Sequence, residues 1–222
     1  MLQSNFMNHA PGLGTWLPIF DEKAREVYPT TDPSHDVLHI RRVVAAALKL
    51  SREEGANTMV VLPAAYFHDF VNVPKADPRR AQASTLSAEA ALQYLGEVGY
   101  PAQYLSAIRH AIEAHSFSAN IACETIEAMV VQDADRLDSL GAIGIARCVT
   151  TSTLMARPYY HEHDFFGENR PLDDKNYAVD HFFVKLFRIA ETLQTPSARK
   201  EGERRIAFMK DYLRQLRSET SM

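Results

Sequence analysis

The sequence has no run of about eighteen uninterrupted apolar residues, so no membrane-spanning helix is expected. It lacks a basic excess as well: the formal charge of −4 argues against a general nucleic-acid binder. Cysteine is scarce. Cys123 and Cys148 lie far apart, without the spacing of a metal site, and read as buried thiols in a reducing cytosol. Residues 1–14 carry neither a basic n-region nor an apolar core, so no secretory signal is expected and the chain is placed in the cytoplasm. Strand signals are nearly absent, because no period-two alternation is bounded by tight turns. There is no internal repeat and no linker-like shift in composition.

Helical patterns separated by short polar breaks are what remain. With 46% hydrophobic and 23% charged residues, the 222-residue chain has an ordinary globular composition and fits one large domain. Periodicity predicts helices over 16–28, from Pro33 to about Glu54, and over 60–70, 85–97, 101–115, 124–140, 142–156, 177–193 and 196–217. Asp32 is the expected cap of the second helix, ahead of proline at its first position. Residues 72–84 read as a loop, and 157–174 as a long polar and aromatic connection. The last helix presents Ile206, Met209, Leu213 and Leu216 on one side, which suits internal packing or a homodimer.

Polar residues in apolar company carry the functional signal. His68 and Asp69 close the apolar run Ala64 to Phe70, and neither belongs in a buried helix without a partner. Adjacent helical positions point about 100° apart, so the two converge only over the helix end. Taken alone, the pair reads as a His–Asp hydrogen bond. Three further stretches change that balance. His35 and His39 stand at i, i+4; His110 and His115 close another helix; Asp133, Asp135 and Asp138 cluster in a third. Two histidines and two carboxylates drawn from several helices, with positions left open, describe a catalytic rather than a structural metal site. Asp36 and Asp138 are candidate acceptors for the far nitrogens of ligand histidines. Asp133 lies about 200° around the helix from Asp135 and reads as a cap or salt bridge. His161 and His163 read as an exposed loop, and His181 as the edge of a core.

His39 followed by Arg42-Val43, then His68-Asp69, then Ala134-Asp135-Arg136-Leu137, resembles the H…HD…D pattern of the HD-domain superfamily of metal-dependent phosphohydrolases. The strings from Asp69 to Lys75, Asp133 to Gly141 and Arg170 to Lys175 resemble a bacterial branch that includes manganese-dependent nucleotide pyrophosphohydrolases. The resemblance extends over roughly residues 20–217. It implies an all-α, single-domain HD helical bundle over residues 1–222, with a core at about 20–160, helices 177–217 packed on it, and a metal site between helices. It further implies His39, His68, Asp69 and Asp135 as metal ligands and catalytic centre. His110 and His115 fall where two-metal branches place extra ligands. Five helical residues separate them by about 140°, so one is expected to touch substrate and a single ion is favoured.

The expected cofactor is one divalent ion, manganese first, with magnesium, iron, nickel, cobalt and zinc also accepted by such donors. Arg42, Lys75 and Arg79 are the candidate phosphate contacts beside the two histidines, whereas Arg80 reads as solvated. Tyr66, Phe117, Tyr159, Tyr160, Phe165 and Phe166 are candidates for base stacking, although most aromatic residues pack in cores. The expected reaction is hydrolysis of a nucleoside or deoxynucleoside triphosphate to monophosphate and pyrophosphate. The alternatives are another nucleotide (alarmone, cyclic nucleotide or monophosphate), or a nucleotide-sensing module without turnover.

Overall fold

The run Thr58 to Phe67 is apolar on every side, and a helix of that kind has to be buried all round. In the computed structural model it forms α3 (Thr58–Phe67), with every side chain from Val60 to Phe67 buried. The structure describes residues 12–28, 36–73, 77–116 and 119–220. Every regular element among them is helical, so the fold class is all-α. None of these helices is long and apolar enough to cross a membrane.

The chain gathers into two compact units, 1–135 and 136–222. In the first, α1 (Leu13–Val27), α2 (Val37–Glu54), α4 (Ala83–Glu97) and α5 (Leu105–His115) all pack against α3. Phe20 fits edge-on to Phe67 at 5.1 Å, and Tyr94 meets the same ring at 5.4 Å, so one aromatic side chain ties three helices together.

The start of α2 differs from the sequence expectation. Its cap is Asp36, whose backbone is extended and whose carboxylate accepts the His39 N–H at 2.8 Å. Asp32, Pro33 and His35 lie outside the described residues, and the described part of α2 begins at Val37. Gly55 ends α2 at φ 71°, and Asn57 caps α3 two residues later, which keeps the connection short. The expected loop at 72–84 is helical from Pro78 onward. Asp77 caps a 3₁₀ turn over Pro78–Gln82 that runs straight into α4.

In the second unit, α7 (Gly141–Leu154) packs on α10 (Pro196–Thr220). Between them lie α8 (Ala178–His181), a π-helical turn (Phe182–Leu186) and α9 (Phe187–Glu191), where one uniform helix was expected. Ala198, Gly202, Met209 and Leu213 of α10 are buried, so two residues of the expected stripe pack internally, while Ile206 and Leu216 are half-buried. The connection before α8 is built around the fully buried Asp180. That carboxylate takes both Arg170 nitrogens, at 2.6 and 2.8 Å, and the Asp173 N–H at 2.6 Å.

Candidate metal centre

α3 stops at Phe67 because its last carbonyls are taken by groups that do not continue the helix. Ala65 O meets His68 Nδ1 at 3.0 Å, Tyr66 O accepts the Tyr28 hydroxyl at 2.6 Å, and Phe67 O accepts the Phe70 N–H at 3.2 Å. Burial pushes the Tyr28 hydroxyl well above its ordinary pKa, with the nearby Asp69 charge adding to the effect, so it stays a donor. The turn that follows turns His68 and Asp69 to one point over the helix end. The partial negative charge of a helix C-terminus favours a cation there.

Two groups of donors meet at this point. His39, His68 and Asp135 form one, and His68, Asp69 and His115 the other; within each, the ligand atoms lie within 4.8 Å of one another. His39 comes from the first turn of α2, His115 from the end of α5, and Asp135 from α6 (Ile126–Leu137). Asp135 Oδ1 is 3.5 Å from His39 Nε2 and 3.8 Å from His68 Nε2. Asp69 Oδ2 is 3.6 Å from His68 Nε2, and its other oxygen is 3.5 Å from His115 Nε2. Gln132 on α6 donates to Ala114 O at 2.7 Å and so fixes the end of α5 beside the ligand-bearing turn of α6.

The tautomers suit metal binding. His68 Nδ1 faces Ala65 O and His115 Nδ1 faces Ile112 O at 2.6 Å, which places the hydrogens there and leaves the Nε2 lone pairs to the cluster. His68 Nε2 is fully buried and makes no hydrogen bond among the described residues. Such an atom is costly to bury unless something binds it, and a divalent cation meets that need together with both carboxylates. The donor set therefore fits a metal ion. Burial lowers the His68 pKa and keeps the ring neutral. Burial acts the same way on His115, but hydrogen bonding and charge from Asp69 outweigh it and raise that pKa. The side chains of Asp69 and Asp135 remain 34% and 31% exposed, so the cluster is open to a ligand on their side.

The other expected site residues are placed variously. His110 Nε2 accepts the Glu124 N–H at 3.0 Å and belongs to neither donor group. Arg42 is half-buried on α2, three residues beyond His39. Arg79 is folded onto Asp77 with two hydrogen bonds, at 3.1 and 2.8 Å. Lys75 and Phe117 lie outside the described residues. Asp133 is fully buried outside both groups, while Asp138 accepts from Arg147 at 2.8 Å. Arg136 donates to the Thr192 carbonyl. The loop reading of His161 and His163 agrees with the structure: His161 Nδ1 accepts two loop N–H groups and His163 is 81% exposed. His181 is half-buried against Asp174. Of the proposed stacking residues, Tyr66 is buried, Tyr159 shares a hydrogen bond with Tyr212, Tyr160 stacks on Phe165, and Phe166 lies under Arg217.

Arg80 is the residue the sequence reading set aside. It lines a cleft with Asp69, and its Nη1 donates to Val73 O at 2.7 Å.

Comparison with known proteins adds the family. The HD domain model matches residues 37–140, which takes in all five members of the donor cluster. The Bacillus subtilis protein YpgQ is 34% identical over 192 residues, covering 84% of this chain and 85% of that protein. The chain belongs to the HD-domain superfamily. A crystal structure of YpgQ in complex with ADP matches with a TM-score of 0.72 at 32% identity, over 91% of this chain and 97% of that one. An HD-superfamily hydrolase from Bacillus thuringiensis matches with the same TM-score of 0.72 at 27% identity, over 92% and 96% of the two chains. The His68-Asp69 pair at the end of α3, His39 and Asp135 all fall within the matched residues.

Proposed function

We propose that this HD-domain protein is a metal-dependent phosphohydrolase that converts nucleoside or deoxynucleoside triphosphates to monophosphate and pyrophosphate. The observation that carries the reading is the double donor group sharing His68, with the His68 and His115 tautomers set by backbone carbonyls. The nucleotide class is supported by the likeness to YpgQ, which has been crystallised with ADP. The hydrolase class is supported by the likeness to the Bacillus thuringiensis protein.

His39, His68, Asp69 and Asp135 would hold the ion, with manganese the first choice for a mixed imidazole and carboxylate set. When bound, a divalent ion supplies a lowered pKa for water and a polarised phosphoryl oxygen. The chain's own residues do the remaining work. The two carboxylates orient their ligand atoms on the exposed side, and the buried imidazoles keep the other side dry. His115 Nε2 stands against Asp69 Oδ1, where it holds a proton or adds a fifth donor. Arg42, one turn along from His39, is retained as a phosphate contact. The two cysteine thiols, Cys148 buried and Cys123 only half-buried, form no disulfide with each other and suit a reducing cytosol as the place of action.

Phosphorus NMR of a mixed NTP and dNTP pool, incubated with manganese-loaded protein, tests the proposal. An Asp135→Ala variant controls for contaminants. Pyrophosphate formed by the wild type alone, with loss of particular triphosphates, is the expected result. An unchanged pool with both proteins would remove triphosphates as substrates and leave alarmones, cyclic nucleotides or a sensing role.

A further inference from the structure

We infer that Arg80 binds the phosphates beyond the one that reacts, and that the cleft between Asp69 and Arg80 receives the outer part of a nucleoside polyphosphate. This rests on the phosphohydrolase reading above and names how the same site would read phosphate number.

The cleft is a shallow one that opens to solvent, bounded by Val27, Tyr28, Asp69, Phe70, Asn72 and Arg80, with Val71 between. Asp69 belongs to the donor cluster, so a molecule lying in the cleft has one end at a metal-ligand carboxylate. The Tyr28 hydroxyl is committed to Tyr66 O, so that residue offers the cleft its ring. Val27 and Phe70 offer carbon. The polar groups left on the wall are the Asn72 amide and the Arg80 guanidinium, and Arg80 is the cation among the lining residues.

Arg80 is also held in place. Its Nη1 is fixed to Val73 O, Val73 is buried, and the Val71 N–H is fixed in turn to the buried Ser87 hydroxyl at 3.0 Å. The segment that follows the HD pair is therefore tied to α4 at Val71 and to Arg80 at Val73. A guanidinium carries five N–H donors, and one bond to a carbonyl leaves a planar fork for phosphate oxygens. A side chain already held by backbone loses little freedom on binding.

The neighbouring arginine shows the contrast. Arg79 is 66% exposed and closed onto Asp77, so its charge is already matched. A polyphosphate approaching the cluster also meets the carboxylates of Asp69 and Asp135. A positive charge at the far side of the cleft offsets that repulsion, more so for each added phosphate.

The test compares ADP with AMP by titration calorimetry on full-length, manganese-loaded protein. The variants are Arg80→Gln, Arg80→Lys and Arg79→Gln, with KM and kcat for a triphosphate measured beside them. Arg80→Gln keeps a donor for Val73 O and removes the charge, which limits damage to the fold. Loss of one charge-assisted contact is expected to weaken ADP binding about ten- to hundredfold and to leave AMP within about threefold. Arg80→Lys should fall between, Arg79→Gln should match the wild type, and KM should rise while kcat holds. Wild-type ADP affinity in Arg80→Gln, or equal losses for AMP and ADP, would overturn the assignment while the hydrolase reading stood. A wild type that neither binds nor hydrolyses any nucleotide would overturn both.

Discussion

The Tyr100 hydroxyl donates to the Met59 carbonyl at 2.5 Å, four residues before Pro63 in α3. Proline has no N–H, so the usual helical partner of that carbonyl is missing. Tyr100 supplies the missing hydrogen from another part of the first unit, in a helix whose surroundings are otherwise apolar. Tyr100→Phe is expected to cost about 0.5–1.5 kcal/mol, the range for loss of one part-buried hydrogen bond. In a Pro63→Ala background the backbone N–H returns, and the same change should cost less than half as much. Urea unfolding of the four proteins gives the coupling directly; equal costs in both backgrounds would mean that Tyr100 does not serve that carbonyl.

Manganese should stabilise the protein through the cluster. A ligand that binds only the folded state adds about 2.7 kcal/mol at a hundred times its dissociation constant. The melting temperature is therefore expected to rise with manganese and to fall back on chelation. His68→Ala should abolish the rise, and bound metal measured by mass spectrometry should disappear with it. A manganese-dependent shift that survived in His68→Ala would place the ion elsewhere.

Acid stability offers a test in the second unit. The Glu201 carboxyl is lowered to about 2, chiefly by the Arg204 hydrogen bond, against burial, with Arg205 helping. A carboxyl with a depressed folded-state pKa stabilises the fold fully above its unfolded value of 4.5, and that contribution is lost as pH falls through about 2. Wild type and Glu201→Gln should thus differ most above pH 4.5 and converge towards pH 2. Denaturant midpoints across that range check the sign; a gap that widened on acidification would contradict it.

Gly144 sits where no side chain fits. A Cβ there would lie 2.2 Å from the Ser139 carbonyl oxygen, and backbone cannot step aside as a flexible side chain can. Gly144→Ala is expected to destabilise by about 1–3 kcal/mol or more, as overpacked sites do. Circular dichroism melts would show it, and an unchanged midpoint would mean that the turn before α7 shifts freely.

That these residues would come together was legible because each member of the donor cluster is a polar residue in an apolar neighbourhood. His39, His68 and Asp135 stand in helices whose other buried positions are mostly carbon, and His68 next to Asp69 makes sense only over a helix end. His115 was legible by type but not by place. Azimuths on α5 separate it from His110, yet they do not say which of the two faces α3. That is decided by packing, and by the Gln132 bond to Ala114 O. The choice between Arg79 and Arg80 was hidden for a more local reason. Asp77 caps the 3₁₀ turn and takes Arg79 in the same act, so the arginine that looked available is the one already engaged. The cap of α2 was misplaced because Asp32 with Pro33 offers a strong cap pattern, while Asp36 offers a plain one and holds the position.

Burial of α3 on every side has a consequence for how such a protein can change over time. Its amide hydrogens are expected to exchange only by a large opening of the first unit, because every side chain from Val60 to Phe67 is buried. The 3₁₀ turn over Pro78–Gln82 has no fully buried residue and can be rebuilt without disturbing the helices beneath it. Substitutions can therefore accumulate along one short exposed segment, while the donor cluster stays anchored in the part of the molecule least free to drift.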